Sequence, residues 1–245
     1  MPEGPSIIIL KEAVQEFKGQ TVIDASCNNG AIDASILTGQ VITDFKSWGK
    51  HFLICFPHVT VRVHMMMFGT YRINSHREKT ARLHLKFKDG ELNFYAVQLH
   101  LIDEPLNNIY DWEADIMSDR WNPRKAIKKM KAEPELLACD ALMNQQIFSG
   151  VGNIIKNEVL FNTHIHPLSK VNAIPPKKLK EMTGEARRYS FDFLKWKKAG
   201  VLKKHWQAYD KKVCPRNHVP FHIKDTGKSH RKSFYCELCQ KLYNS

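Results

Sequence analysis

The sequence predicts an α+β protein, in which a β-rich N-terminal part with a flanking helix precedes a helical part and a small cysteine-rich tail. Three patterns predict this: short alternating strands over residues 20 to 97, helix signals in the second half, and three clustered cysteines near the C-terminus. With 245 residues, 43% of them hydrophobic and 25% charged, the chain can bury a substantial core. This composition excludes a disordered, collagen-like or low-complexity chain.

Residues 5 to 18 predict the first helix. Ile9, Ala13 and Phe17 fall on one helical face, with a proline near the start and a glycine just past the end. Short β-rich runs follow, and an Asp-Gly turn at 89 to 90 marks a hairpin with apolar residues alternating on both sides. The N-terminal part therefore predicts a β-sandwich or barrel with a helix at its start. The runs include HFLICF at 51 to 56 and TVRVHMMMF at 60 to 68.

The second half of the chain carries helix signals. Asn122 and Pro123 fit the N-cap and the first position of a helix, because an Asn side chain caps free N–H groups and proline lacks one. Further helices are predicted over residues 134 to 146, from the Gly150-Val151-Gly152-Asn153 turn through Phe161, and from Pro175 or Pro176 to Lys198.

These patterns predict three domains, at residues 1 to 120, 121 to 204 and 205 to 245. The formal charge is +12 and the sequence pI is about 9.4. The excess is unevenly placed: residues 1 to 120 carry 12 Lys and Arg against 15 Asp and Glu, whereas residues 121 to 245 carry 25 against 10. The net charges of −3 and +15 indicate two parts with different tasks and a polyanionic partner for the second.

The sequence has no run of 18 or more apolar residues and no basic, apolar and small-residue pattern of a signal peptide. We therefore expect an intracellular protein without membrane contact, in the cytoplasm or nucleoid if the source is bacterial. In a reducing compartment, clustered cysteines favour metal ligation over disulfide bonds.

The tail has the spacing of a structural zinc site. Two close ligand pairs joined by a longer loop can present three thiolates and one imidazole to Zn²⁺ in tetrahedral geometry. A tail this short buries little apolar surface, so one zinc ion would supply much of its folding free energy. Free cysteines are the alternative, and His222 and His230 compete with His218 for the fourth position. The two pairs are Cys214-x3-His218 and Cys236-x2-Cys239.

Five segments spread over nearly the whole chain carry a resemblance to a known family. They are PEGP at 2 to 5, WGKHFLICF at 48 to 56, HMMMFG at 64 to 69, QQIFSGVGNIIKNEVLF at 145 to 161 and HRKSFYCELCQK at 230 to 241. Together and in this order they resemble the formamidopyrimidine-DNA glycosylase/endonuclease VIII family. The resemblance implies a helix-flanked β-sandwich, a helix-two-turn-helix domain and a C-terminal zinc-finger hairpin. It also implies excision of oxidised bases from double-stranded DNA and cleavage of the strand at abasic sites.

The resemblance places catalytic roles on Pro2, Glu3 and Lys50. Once Met1 is removed, the secondary amine of Pro2 would attack C1′ of the damaged nucleotide, since an α-amine titrates near 8 and is partly neutral at physiological pH. Glu3 would shuttle protons at the opening sugar, and Lys50 would contact a phosphate and assist base loss. Without the resemblance, the residues alone would indicate a surface acid for Glu3 and would favour an ordinary turn lysine for Lys50.

Met66, Met67 and Phe68 match the side chains that enter the gap left by an everted base. Flexible thioethers and an aromatic ring can fill an irregular gap and stack on bases. Core packing is the alternative, but consecutive residues of a strand point to opposite faces. Residues 65 to 68 therefore cannot all face one core.

The phosphate-binding positions implied by the resemblance are Gly152, Asn153 and Arg231. The glycine-rich turn opens a helix, whose free N–H groups and dipole favour an anion, although Asn153 also fits an ordinary N-cap. Arg231 would grip a phosphate at the lesion. Together with Lys50, these residues are expected to converge on one DNA strand across an interdomain cleft, in a protein expected to be a monomer.

Two positions depart from the family pattern: Ser6 replaces a usual glutamate, and Asn144 replaces a common aspartate. The contiguous Met-Met-Phe run and the short connection after the long helix favour endonuclease VIII and oxidised pyrimidines. An oxidised-purine glycosylase and a non-catalytic binder of damaged DNA are the alternatives, the latter suggested by Ser6. A zinc-finger transcription factor fits poorly, because the tail has no evident base-reading helix.

Overall fold

The computed structural model describes residues 2 to 28, 30 to 133 and 135 to 244, in two compact units, Met1–Tyr110 and Asp111–Ser245. The second unit contains both the helices and the cysteine-rich tail that the sequence pattern assigns to separate domains. Within the described ranges, no helix combines the length and the apolar character needed to cross a membrane.

The first unit is a six-stranded antiparallel sheet with a helix at its start. The strand order is β1-β5-β6-β4-β3-β2, so the strands of the expected sandwich are hydrogen-bonded into one sheet. The elements are α1 (Gly4–Ala13), β1 (Asp24–Cys27), β2 (Asp44–Trp48), β3 (His51–Cys55), β4 (Thr60–Ile73), β5 (Leu83–Phe87), β6 (Gly90–Ile102) and α2 (Leu106–Ile109).

The first helix and the hairpin form where the sequence pattern predicts them, but the predicted apolar face of the helix is wrong: Ile9 is only partly buried and Ala13 is exposed. Ile7 and Leu10 of α1 are fully buried, and a short 3-10 turn continues the helix to Phe17, whose ring lies 4.6 Å from that of Phe87. Phe87 pairs with Gly90, so the two turn residues are Lys88 and Asp89, one position before the predicted Asp-Gly turn. The helix thus packs its apolar face on the sheet, and the turn fixes the register of β5 and β6.

The long strand β4 is interrupted in its middle. Met65 pairs with Val97 and Thr70 with Tyr95 of β6, so the intervening residues 66 to 69 lie outside the regular ladder. Unpaired residues bend a strand and increase its twist. This irregularity therefore lets one apolar segment leave the sheet without ending β4.

The described residues of the second unit form four α-helices and a two-stranded hairpin. Asn122 Oδ1 accepts a hydrogen bond from the Lys125 N–H (3.1 Å), which confirms the predicted N-cap. The elements are α3 (Pro123–Lys131), α4 (Ala138–Met143), α5 (Asn153–Asn162), α6 (Pro176–Lys198), β7 (His222–Thr226) and β8 (Arg231–Tyr235). The observed α5 and α6 agree with the predicted helices.

One predicted helix is too long. The pattern predicts residues 134 to 146, whereas α4 begins at Ala138 and ends at Met143, and Pro134 lies outside the described residues. Asn144 has an extended conformation, and its Oδ1 accepts the N–H of Gln146 at 2.9 Å. This local side-chain turn competes with the helical hydrogen bonds and stops the helix.

Helix α5 is buried along its length. Every residue from Asn153 to Phe161 is buried, including four polar ones. Buried polar groups need hydrogen-bond partners, and most of the partners of the α5 side chains come from segments far away in sequence. Glu158, which is 0% exposed, accepts hydrogen bonds of 2.8 to 3.1 Å from the N–H groups of Gln207, Ala208 and Tyr209. The helix therefore organises the whole unit.

Candidate active site and metal centre

The predicted acid and nucleophile lie at the start of α1. Pro2 is half-buried and Glu3, the N-cap of the helix, is 0% exposed. The Glu3 N–H donates to Ser6 Oγ at 3.5 Å, in a capping-box arrangement. A buried carboxyl group is therefore held beside Pro2, and Ser6, which departs from the family pattern, helps to fix its backbone. Met1 lies outside the described residues.

Lys50 lies in the tight turn between β2 and β3. Gly49 adopts φ +53 in this turn, in the left-handed region that glycine enters without strain. The strands that follow bring two histidines together, because His51 of β3 pairs with His64 of β4 and their rings lie 5.4 Å apart. The turn therefore places a lysine directly beside a pair of imidazoles.

Both imidazoles are held neutral. Burial lowers the pKa of His51 to about 4, assisted by the charges of Arg62, His64 and Lys50. Burial also lowers the pKa of His64, although a hydrogen bond with the Lys50 backbone opposes the shift. The Nδ1 atoms of both rings are buried and have no hydrogen-bond partner among the residues that the structure describes. A neutral imidazole can donate one hydrogen bond and accept another without adding positive charge.

The sequence pattern does not identify these two histidines as candidate site residues. Both stand in segments that carry the family resemblance, at the start of HFLICF and of HMMMF. The signal that identifies them is their cross-strand register, which requires the pairing of β3 with β4.

Met66, Met67 and Phe68 project from the interruption of β4. Their exposed fractions are 42%, 54% and 81%, whereas the preceding Met65 is 7% exposed and belongs to the core. Gly69 closes the segment, since a Cβ there would lie 2.8 Å from the Cβ of Met65. Three large apolar side chains of a constrained segment are thus exposed to solvent. This exposure argues against core packing and agrees with insertion into a ligand.

In the second unit, the loop before α5 is tied by one side chain. Gln145 Nε2 donates to the carbonyl of Val151 (3.1 Å), and its Oε1 accepts the N–H of Gly150 (3.0 Å). Gly152 is the N-cap of α5 and Asn153 its first residue. Asn153 is 7% exposed, and its buried Oδ1 has no partner within the described ranges.

Helix α5 also fixes the strand that carries Arg231. Three of its side-chain nitrogens donate to one atom, the carbonyl oxygen of Lys232. The donors are Asn153 Nδ2 (3.1 Å), Lys156 Nζ (3.2 Å) and Asn157 Nδ2 (3.1 Å). The structure thereby brings Asn153 and the Arg231 strand together, as the resemblance implies. In the described part of the chain, the Arg231 guanidinium has no hydrogen bond or ion pair, so its donors are available to a ligand.

Cys214, Cys236 and Cys239 form a candidate metal centre, since their sulfur atoms all lie within 4.8 Å of one another. Cys214 Sγ and Cys239 Sγ are 3.9 Å apart. Two sulfurs at tetrahedral positions on Zn²⁺, with Zn–S near 2.3 Å, lie about 3.8 Å apart. The cluster therefore has the spacing that a tetrahedral zinc ion requires.

The electrostatics of the three thiols indicate a need for a cation. Burial opposes ionisation of Cys236, but hydrogen bonds from Asn217 and from backbone N–H groups outweigh it and lower its pKa. Burial and the neighbouring Cys236 raise the pKa of Cys239 to about 12. Without a cation the cluster resists multiple negative charges, and a bound metal ion reverses this preference.

His218, predicted as the fourth ligand, is exposed and its ring nitrogens lie outside this group of donor atoms. Its N–H donates to the Cys214 carbonyl (2.9 Å), so its backbone belongs to the same ligand turn. Its φ of +56 is in the left-handed region. The assignment of His218 as the fourth ligand stays a prediction.

Two domain families match successive parts of this chain. Residues 1–98 match the formamidopyrimidine-DNA glycosylase N-terminal domain, and residues 114–190 match the helix-two-turn-helix domain of the same proteins. The chain belongs to the formamidopyrimidine-DNA glycosylase/endonuclease VIII family. The family resemblance that the five sequence segments carry is confirmed.

Members of the family with curated sequences are similar to most of this chain. Endonuclease 8-like 3 of Xenopus laevis is 29% identical over 222 residues, which is 85% of this chain and 36% of that protein. Endonuclease 8-like 2 of Bos taurus is 31% identical over 196 residues, covering 74% of this chain and 58% of that protein. The chain therefore spans about a third to somewhat more than half of these relatives.

Solved structures in the family share the fold over nearly the whole chain. A viral DNA glycosylase superimposes with a TM-score of 0.86 at 22% identity, covering 98% of this chain and 100% of that one. The Lactococcus lactis formamidopyrimidine-DNA glycosylase, bound non-covalently to DNA containing an abasic site, gives 0.86 at 21% identity, covering 98% and 99%. The expected α+β architecture is confirmed.

Proposed function

We propose that this chain is a bifunctional DNA glycosylase and abasic-site lyase, which removes oxidised bases, with pyrimidines preferred, and then nicks the strand. The observation that carries the proposal is the fully buried carboxyl group of Glu3 beside Pro2, in a unit that also exposes the Met66 to Phe68 segment. Membership of the family supports it, as do the DNA-bound structures of proteins with the same fold.

The chemistry begins with the Pro2 amine. Its lone pair forms a bond to C1′ as the bond from C1′ to the base breaks, and the departing base takes a proton. Ring opening gives an iminium between C1′ and the proline nitrogen, which accepts electrons and acidifies the C2′ proton. Loss of that proton expels the 3′ phosphate, and a second elimination expels the 5′ phosphate. Hydrolysis then returns the free amine.

Glu3 supplies the proton transfers of this sequence. A carboxyl group protonates the ring oxygen as the sugar opens and removes protons in later steps. Lys50 adds a positive charge beside the neutral pair His51 and His64, at a turn between two strands. A phosphate at this turn would meet one cation and two uncharged hydrogen-bonding rings.

The remaining residues serve DNA binding. Base eversion costs a few kcal/mol, and Met66, Met67 and Phe68 would offset part of this by filling the gap. Gly152, Asn153 and Arg231 would hold backbone phosphates, since the helix N-terminus and the guanidinium both favour anions. In this proposal the first unit supplies the apolar wedge and the second unit supplies phosphate-binding groups for double-stranded DNA.

One structural zinc ion would be held by Cys214, Cys236 and Cys239, with His218 as the fourth ligand. The ion would neutralise the thiolates and keep β8 in place, and it takes no part in the reaction. Chelation at neutral pH is accordingly expected to release about one Zn²⁺ per chain, to expose the tail to proteases and to weaken DNA binding.

Sodium borohydride reduction tests the covalent step. We expect a chain that begins at Pro2 to be trapped on a duplex containing an abasic site, because only an iminium is reduced to a stable amine. A matched chain with one extra residue before Pro2 should not be trapped, because its proline nitrogen is an amide. Intact-mass measurement identifies the N-terminus of each sample. Cleavage by protein that retains Met1 would refute the role of Pro2.

A cleavage panel tests the lesion class. Duplexes carrying thymine glycol, dihydrouracil, 8-oxoguanine or an abasic site separate the base-removal step from the lyase step. We expect faster removal of the two pyrimidines. Preference for 8-oxoguanine would instead support the oxidised-purine alternative, and tight binding without trapping or cleavage would support the non-catalytic binder.

A further inference from the structure

A basic cavity lies beside the exposed apolar segment of the first unit. Its volume is about 580 Å³. Arginine, lysine and aromatic side chains line it together, which is the combination that binds nucleic-acid backbone and bases. The residues that matter here are Asn28, Phe68, Arg77, Lys79, Arg82 and Tyr95.

The cavity is held in shape by contacts among these residues. The Arg77 N–H donates to the Tyr95 hydroxyl at 3.0 Å, and its guanidinium lies over the Tyr95 ring, 5.3 Å from the centroid. Arg82 Nη1 donates to the Asn28 carbonyl at 3.1 Å. Tyr95 itself is 4% exposed. Two arginines are therefore anchored by a buried ring and by backbone, which limits the entropy that they lose on binding an anion.

The charges of the cavity are not neutralised from within. Arg77, Lys79 and Arg82 form no ion pair with any carboxylate in the described part of the chain, although Glu78 lies on the same exposed segment. The first unit carries 11 Lys and Arg and 11 Asp and Glu. Three unpaired cations around one cavity are therefore a local excess in an otherwise neutral unit, and they favour an anion there.

The backbone around the cavity is also unusual. Ala96, which lines the cavity, has φ +50, a conformation that costs a residue with a Cβ about 1 kcal/mol or more. It lies in β6 opposite the interrupted part of β4, between the pairs of Val97 with Met65 and Tyr95 with Thr70. Strained backbone of this kind persists at ligand sites where the surrounding structure enforces it.

The position of the cavity in the sheet indicates what it binds. Lys50 lies in the β2–β3 turn on one side of β4, whereas Arg82 and Asn28 flank β5 and β1 on the other side. From β3 to β5 is three strand spacings, or roughly 14 Å. The grooves of duplex DNA are about 6 to 12 Å wide. The separation is large enough for cations on the two sides of the wedge to lie against different strands of a duplex.

We propose that this cavity binds a backbone phosphate of the strand opposite the lesion. The inference rests on the proposed function, in which Lys50 serves the lesion strand and Phe68 enters the duplex between the two. Arg77 and Lys79 would contact the phosphate and Arg82 would support them. The ligand is the opposite DNA strand, and the cavity has no role in the chemical step.

The salt dependence of binding tests the charges. The double variant Arg77→Gln, Lys79→Gln is compared with Lys86→Gln, Lys88→Gln, which removes two exposed lysines at the far end of β5. The probe is a duplex with a tetrahydrofuran abasic analogue between 50 and 200 mM KCl. Each phosphate contact contributes about 0.9 to the slope of log affinity against log salt concentration. Losing two contacts should therefore make the fold-loss of affinity between 50 and 200 mM KCl roughly tenfold smaller. The control pair should keep the drop of the unmodified protein.

The strand assignment is tested separately. The cavity variant should bind a single-stranded abasic probe as well as the unmodified protein does, because the opposite strand is absent. Neutral methylphosphonates in the opposite strand should weaken the unmodified protein and leave the variant unchanged. An equal loss on single and double strands, or a variant that matches the lysine control, would overturn the proposal.

The two proposals can fail independently. Borohydride trapping by the unmodified protein reports on the iminium chemistry and does not depend on the cavity. If trapping and duplex binding are normal while the cavity variant matches its control, only the strand assignment fails. If the unmodified protein neither traps nor binds a damaged duplex, the proposed function itself fails.

Discussion

The two units of the protein differ in how they use charge. Met1–Tyr110 carries 11 Lys and Arg against 11 Asp and Glu, net 0, whereas Asp111–Ser245 carries 26 against 14, net +12. The neutral unit nevertheless contains the buried Glu3, the neutral His51 and His64 and the exposed Phe68. We therefore expect the residues of the proposed reaction to lie in the unit with no net charge, and the second unit to supply most of the long-range attraction to DNA.

The units also differ in how far apart in sequence their site contacts lie. In the first unit, Glu3 and Ser6 are three residues apart, and His51 and His64 belong to neighbouring strands. In the second, Asn153 reaches the Lys232 carbonyl across 79 positions. Substitutions in the first site should therefore change the rate of the proposed reaction with little effect on folding. Substitutions in the second should change the stability of the protein and its affinity for DNA.

The largest expected effect is on the rate of base excision in Glu3→Gln. The amide keeps the shape of the side chain but cannot transfer the proton, so excision should fall by about 10² to 10⁴-fold. Single-turnover cleavage of a thymine glycol duplex measures this, with the exposed Glu16→Gln as the matched control. Affinity for an abasic analogue should change little. A comparable loss of affinity would instead mean that Glu3 organises the DNA-binding surface.

The next effect concerns stability of the second unit, in Glu158→Gln. The carboxylate accepts hydrogen bonds from backbone N–H groups at a site that is 0% exposed, and the amide nitrogen of the variant would face these donors without accepting from them. The free energy of unfolding should fall by about 2 to 4 kcal/mol. Denaturant titration measures it, and the exposed Glu181→Gln should cost less than about 1 kcal/mol. If Glu158→Gln kept its stability but excised bases slowly, the role of Glu158 in the stability of the second unit would be wrong.

A smaller effect concerns acid stability of the first unit. The folded pKa of His51, about 4, lies below the reference value of 6.5, so the unfolded chain binds the proton more readily. Stability should therefore be complete above pH 6.5 and should decline as the pH falls from 6.5 to 4, by up to about 3 kcal/mol. His51→Gln should flatten this decline, whereas the exposed His58→Gln should leave it in place. An unchanged pH profile in His51→Gln would show that another group titrates there.

The smallest effect is expected in Phe68→Ala. Because the ring is 81% exposed, its loss should change the free energy of unfolding by less than about 0.5 kcal/mol. Base excision should nevertheless slow by roughly tenfold on a duplex, since the wedge offsets part of the cost of eversion. Excision from a single strand should be unaffected. A large loss of stability would show that Phe68 packs in the folded protein.

Local sequence signals predicted much of the fold. The Asn122 cap, the presence of the β5–β6 hairpin and the boundaries of α5 and α6 depend on neighbouring residues, so they are visible in the chain itself, although the hairpin turn lies one residue before the predicted position. The α4 helix was overpredicted because the side chain of Asn144 turns back on Gln146, a competing bond that periodicity does not detect. Helix boundaries are set by such local competition.

The residue types of the candidate site can be read from the chain: a proline and glutamate at the start, an apolar triplet after a histidine, a glycine-rich helix start and a cysteine cluster. Which of these are buried, neutral or exposed depends on the folded arrangement. Folding pairs His51 with His64 and buries Met65, whereas Met66, Met67 and Phe68 are exposed. It also brings three α5 side chains to the Lys232 carbonyl. The physical reason is that burial and proton affinity depend on strand register and on long-range contacts, which no local pattern specifies.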